Sequence, residues 1–231
     1  PLKDRFGAQI RTHYPLDVGT ELAVVHQEWR APNLAGVRVE VPEHMAEIVA
    51  TISHEARRHP NVNQRSGVSV RLSVANYETL VANALRRALR LGEADAVPRI
   101  SDLLALTSST AGKVEIETLD DSEGEAIIER LVRTAVLAVF RRRCRIDDHR
   151  ELLAGFEQGG VVNVGDDVSS ADYLDVVARF PALRAAAAPL AGSETPAAVA
   201  SAVELVLEGL HLSRRLNKDA IGGRATYRSR V

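Results

Sequence analysis

Ser66-Gly67-Val68-Ser69-Val70-Arg71-Leu72-Ser73 opens an apolar run from Val74 to Leu91, and the reading of that run decides the fold. Val74, Tyr77, Val81, Ala84, Leu85 and Ala88 share one face at helical spacing, and Gly92 supplies a helix stop. Ser69 is placed to cap the start, which sets Arg71 in the first turn, where unpaired backbone N–H groups favour an anion. The stretch predicts a core helix with a charged tip.

Toward the N-terminus, Met45, Ile48, Val49, Ile52 and Ala56 follow the same spacing, with Pro42 as the first helical residue and Pro60 marking the end. The segment Gly36 to Pro42 alternates apolar and charged residues and reads as a short strand or extended linker, and Leu22 to Trp29 begins another helix. Ala8, Ile10 and Thr12 alternate as a short strand would, ending before Pro15.

Toward the C-terminus, a short apolar element around Leu103 to Leu106 precedes Gly112 to Glu117, which alternates again. Residues 123–143 form the clearest helix, with Ile127, Ile128, Leu131, Val132, Ala135, Val139 and Phe140 inward. It ends in Arg141-Arg142-Arg143, charges that a helix C-terminus favours. Leu152, Leu153 and Phe156 define a short helix, Val161 to Ser170 reads as a loop, and Ser170 caps a helix stopped by Pro181. An Ala-rich connection of short helical pieces over 185–193 leads to Thr195-Pro196, a cap and first-turn pair opening a helix through Leu210. Residues from Lys218 onward, with Gly222, Gly223 and several arginines, read as a mobile tail.

The chain of 231 residues has room for one or two domains. Its 45% apolar and 26% charged residues suit a soluble globular protein, and 4% aromatics suit a core of Leu, Val, Ile and Ala. A net charge of -2 argues against a general nucleic-acid surface. Cys144 is the single cysteine, so neither an internal disulfide nor a cysteine-based zinc site can form, and a cytoplasmic setting is expected. No apolar run approaches the ~20 residues a membrane span needs. The start at Pro1, with Met45 the sole methionine, predicts a piece of a longer polypeptide.

Nucleotide and metal motifs fail on spacing. A phosphate-binding loop needs Gly-x-x-x-x-Gly-Lys-Ser/Thr, and around Gly112-Lys113 Thr107 stands at the first glycine and Val114 at the hydroxyl position. No apolar strand ends in the acidic pair that would hold magnesium, so the chain alone should not hydrolyse a nucleotide. His54 and His59 are five residues apart, which at ~100° per residue turns their rings about 140° from each other, too far to share a metal. The pairs Asp120-Asp121, Asp147-Asp148 and Asp166-Asp167 read as solvated turn residues, and no metal ligands are assigned.

Two arginines remain. Leu2-Lys3-Asp4-Arg5-Phe6-Gly7 resembles the Leu-x-Asp-Arg-Phe-Gly segment of AAA+ ATPases of the magnesium chelatase I subunit and MoxR group, whose arginine reaches the nucleotide of a neighbouring subunit. The helix at Ser69-Val70-Arg71 resembles that family's lid, with Arg71 at the sensor 2 position, and Pro42 to His59 is similar to the first lid helix. The likeness covers Pro1 to about Glu93 and thins beyond Glu157; Arg65 is the alternative if the lid match slips. It implies a mainly α chain with a few short strands, in which 1–35 end the AAA+ core, 36–118 form a helical lid, 119–217 a further helical region and 218–231 a basic tail. It also implies ATP and Mg2+ held mostly by residues upstream, Arg5 as a catalytic finger supplied in trans, Arg71 as a nucleotide contact, a homo-oligomeric ring, and a client or partner protein. Guanidinium suits both roles because it keeps its charge and grips two oxygens at once. Read without the resemblance, Arg5 pairs with a nearby acid and Arg71 decorates its helix. The chain is then a non-enzymatic helical interaction module.

Overall fold

The computed structural model describes residues 5, 7–8, 10–32, 36–63, 65–117 and 121–230. Among these the chain is mainly helical with a few short strands. Asp17 caps α1 (Val18–Glu28) by accepting from the Thr20 N–H. The alternation at 8–12 forms no strand; the described residues there are exposed and irregular, because a half-apolar run needs a sheet to bury one side. A two-residue strand β1 (Arg38–Val39) leads through Pro42, the N-cap rather than the first turn, into α2 (Glu43–Ala56).

α3 (Arg71–Leu91) carries its apolar face inward and stops at Gly92, whose φ of +69° is left-handed. The chain then returns through β2 (Asp95–Ala96), parallel to β1, and a 3-10 turn at Ile100–Ala105 into α4 (Leu106–Ala111). The expected strand at 112–117 reduces to one bridge, Val62 to Ile116. α5 (Asp121–Arg143) packs along α2, where Arg143 pairs with Glu47 at 2.8 Å and Glu43 at 2.9 Å.

α6 (Arg150–Glu157) is followed not by a loop but by β3 (Val161–Gly165). α7 (Ser170–Arg179) is capped one residue earlier than expected, by Ser169 and Asp172 in a reciprocal box. α8 (Pro181–Ala191) is one helix with Pro189 near its end, rather than broken pieces. α9 (Pro196–Leu212) starts at the Thr195 cap and is buried on every side from Ala200 to Leu210. The expected tail is instead a hairpin of β4 (Leu216–Ile221) and β5 (Arg224–Ser229), with sheet order β3-β5-β4, all antiparallel. Leu216, Ala225 and Tyr227 point inward and complete the wall around α9, which is why this segment is ordered.

One core runs from Val25 on α1 through α2, α3, α5 and α9 to Tyr227. The helices of 36–118 and those of 119–217 therefore share their packing. A smaller cluster of Ala56, Val62, Val68, Leu72, Val114, Ile127 and Leu131 sits beneath the loop that enters α3. Among the described residues no single helix is long and apolar enough to cross a membrane.

Candidate functional site

Arg71 lies in the first turn of α3 with its side chain exposed, and it makes no ion pair with any described residue. The Ser69 hydroxyl accepts from the Arg71 N–H at 3.2 Å and the Ser69 carbonyl from the Leu72 N–H at 2.9 Å. The N-cap position of α3 is Val70, with no side-chain cap bond, rather than the expected Ser69, whose hydroxyl nonetheless accepts from the first helical N–H. Arg65 is exposed on the same approach. Arg5 is exposed; its motif partners at 2–4 and 6 lie outside the described residues, as does Asp120. No hydrogen bond or ion pair of either arginine's side chain joins Arg5 to Arg71 among the described residues.

The loop carrying the chain into α3 is pinned on several sides. Asn63 Oδ1 accepts from the backbone N–H of Arg65 at 2.9 Å, folding the chain into a tight turn. The Ser66 hydroxyl donates to Glu115, and the Asn63 N–H donates to the Glu115 carbonyl at 2.9 Å. Gly67 has φ +70°, and a Cβ there would run into the Tyr14 hydroxyl, so glycine is required twice over at this point. Val68 and Leu72 anchor the loop in the smaller cluster.

Beneath this mouth lies a buried charge cluster that the sequence did not reveal. Glu21 on α1 is fully buried and accepts from Arg57 Nη1 at 2.7 Å, Arg57 Nη2 at 2.9 Å and the Ser73 hydroxyl at 2.6 Å. Arg57 Nε donates to the Val68 carbonyl at 2.9 Å, and the guanidinium lies 4.8 Å from the centre of the Tyr14 ring. Ser53 and Ser73 hydroxyls meet at 2.6 Å. His54 Nε2 is 3.6 Å from Glu21; burial pushes its pKa down, against the pull of that carboxylate. Glu21 and Arg57 are 36 positions apart in the chain, and neither breaks a periodic pattern.

His54 and His59 do not converge: His54 faces Glu21, while His59 Nδ1 accepts from the Asn61 N–H at 3.3 Å. Among the described residues no group of three or more His, Cys, Asp or Glu is placed to hold a metal ion.

A second polar feature lines a cleft of about 520 Å³ between the 3-10 turn, α5, α9 and the hairpin. Its walls include Leu103, Val132, Val136 and Val164, and at its rim Leu104 and Ile221 are 68% and 85% exposed. Its floor holds Glu204 and Glu208, one turn apart on α9. Tyr173 donates to Glu204 at 2.5 Å and Tyr227 donates to Glu208, joined by Lys218 at 2.7 Å. Burial first, and then the adjacent carboxylates, push both phenols well above their ordinary range, so they remain donors. Behind Glu204, the fully buried Arg99 lies 3.3 Å away and donates through Nη2 to the carbonyls of Gly165 at 2.9 Å and Val168 at 2.7 Å.

Compared with known proteins, the chain matches no family model, no curated protein and no solved structure.

Proposed function

We propose that this chain is the C-terminal part of an AAA+ ATPase similar to the magnesium chelatase I subunit. In that reading Arg5 serves as a finger on the nucleotide of a neighbouring protomer, and Arg71 as a contact to the nucleotide of its own. The observation that carries it is the state of Arg71: an exposed guanidinium with no acid partner among the described residues, at the start of a long helix, on a loop fixed by buried groups. A surface arginine kept for solubility needs no such foundation, whereas one that must meet a phosphate oxygen does. The exposure of Arg5 suits delivery across a subunit boundary. ATP and Mg2+ would be held mainly by a phosphate loop and acidic residues outside these 231 positions. The residues here supply charge stabilisation to the transferring phosphoryl group, and hydrolysis drives remodelling of a client protein or chelatase complex from a cytoplasmic ring.

The test is hydrolysis by the full-length protein. Arg5→Ala abolishes turnover, a loss on the order of 10³-fold, while nucleotide binding stays within about twofold. Arg71→Ala loses most hydrolysis. Normal turnover by either variant overturns the role given to that residue.

A second reading has its own observation. The cleft beside α9, with apolar walls, polar floor and two exposed rim side chains, is of a size that takes ligands, and it supports a non-enzymatic interaction module built on the C-terminal helices. Unchanged turnover in both arginine variants, with loss of client binding on Ile221→Ser, would favour it.

A further inference from the structure

We infer that Arg57 is the positioning residue that ties the segment descending from Arg5 to the loop presenting Arg71, an assignment that rests on the nucleotide reading of Arg71.

All three nitrogens of this guanidinium donate, and its contacts reach three different pieces of chain. Nη1 and Nη2 take both oxygens of Glu21, which fixes α1. Nε holds the carbonyl of Val68, three residues before Arg71. The ring of Tyr14, nine residues after Arg5, lies against its plane, and the Tyr14 hydroxyl fills the space left by the absent side chain of Gly67. Glu21 in turn takes the Ser73 hydroxyl, two residues after Arg71. Arg71 is therefore bracketed on both sides by groups that converge on one ion pair, and Tyr14 is laid over the same pair. A shift of α1 or of the Tyr14 segment cannot occur without moving the Val68 carbonyl or breaking a buried charge pair.

The arrangement needs the planar fork of arginine. A lysine at 57 would keep the charge but could not serve both Glu21 oxygens and the Val68 carbonyl at once. Arg57→Lys is thus the discriminating change, since it preserves the buried charge balance and releases the loop. Ser73→Ala is a milder second variant, removing one hydroxyl from Glu21 on the other side of Arg71.

The experiment is a double-mutant cycle on ATP hydrolysis by the full-length protein, using Arg57→Lys and Ser73→Ala with Arg71 present and with Arg71→Ala, and melting temperatures taken for all. Misplacing a phosphate contact costs about ten- to a hundredfold in rate, so Arg57→Lys lowers kcat by that much when Arg71 is present. Once Arg71 is gone the same change alters kcat by less than about twofold, and Ser73→Ala shows a smaller loss with the same dependence. Equal losses in both backgrounds, following the fall in melting temperature, mean a purely structural role and overturn the inference. Should Arg57→Lys not fold, Ser73→Ala decides: a loss independent of Arg71 overturns it. Normal turnover by Arg71→Ala alone overturns the nucleotide reading itself, a separate outcome from additive losses.

Discussion

Replacing Glu21 by alanine removes the acceptor on which the mouth of α3 is assembled. The carboxylate is fully buried and takes two bonds from Arg57 and one from Ser73. Arg57 has an 11% exposed side chain, so without Glu21 its charge is left nearly dry and unpaired. Breaking such a pair from one side costs about 3–5 kcal/mol. For a chain of this length each kcal/mol moves the midpoint by roughly 2–4 °C, so a fall of about 10 °C is expected. Circular dichroism melts of Glu21→Ala at low and high salt measure it, and the loss persists in high salt because a buried pair is poorly screened. The companion Glu21→Leu/Arg57→Met, which removes both charges, recovers most of the stability, since a well-packed apolar pair is often as stable as a buried ionic one. A Glu21→Ala melt within about 1 °C of the parent would refute the reasoning, because it would mean that the pair is open to water.

Three further outcomes follow from burial elsewhere. Burial pushes His44 down to about 4, so its stabilising neutral form is fully present above pH 6.5 and is lost as pH falls from there toward 4. The cost approaches roughly 3 kcal/mol below pH 4, of which about 2 kcal/mol is read as a falling midpoint between pH 7 and pH 5. His44→Met flattens most of the slope, and His54 and His149, also lowered by burial, account for the remainder; an unchanged slope would contradict this. Gly209 on α9 faces the Phe140 ring so closely that a Cβ would overlap it. Gly209→Ala is expected to destabilise by about 1–3 kcal/mol in denaturant titration despite the better helix former, and a stabilised variant would show that the ring yields. Burial also pushes the Cys144 thiol up to about 11. At pH 7.5 its thiolate is at least about a hundredfold scarcer than that of an exposed cysteine, so iodoacetamide alkylation of the native protein is slow and that of the unfolded protein is not; equal rates would contradict the burial.

The helices were legible wherever an apolar stripe was bounded by a stop, as in α3 with Gly92, α5 with its arginine end, and α9 behind Thr195-Pro196. The hairpin was missed although its signal was present. Gly222-Gly223 separates two six-residue runs, both glycines adopt positive φ, and Ala225 and Tyr227 alternate inward. The glycines and charges of that stretch are also the composition of a solvated tail, which masks the alternation. β3 was hidden in the same way by Gly165 at its end and the two aspartates that follow it. At the site, the place of Arg71 in the first turn of α3 and its exposure could be read from local spacing, whereas the cap fell one residue later than Ser69. Glu21 and Arg57 could not. Each falls on an ordinary helical or turn position, and only the crossing of α1, α2 and α3 brings them together.

The account stands most directly on whether Arg5 works in a neighbour's nucleotide site. Full-length subunits carrying Arg5→Ala, inactive alone, are mixed with subunits inactivated in the phosphate loop, and ATP hydrolysis is followed against the mixing ratio. Recovery of turnover in the mixture, with a maximum at intermediate ratios, is the result expected of a finger supplied across the subunit boundary; full turnover by the Arg5→Ala subunits alone would contradict it.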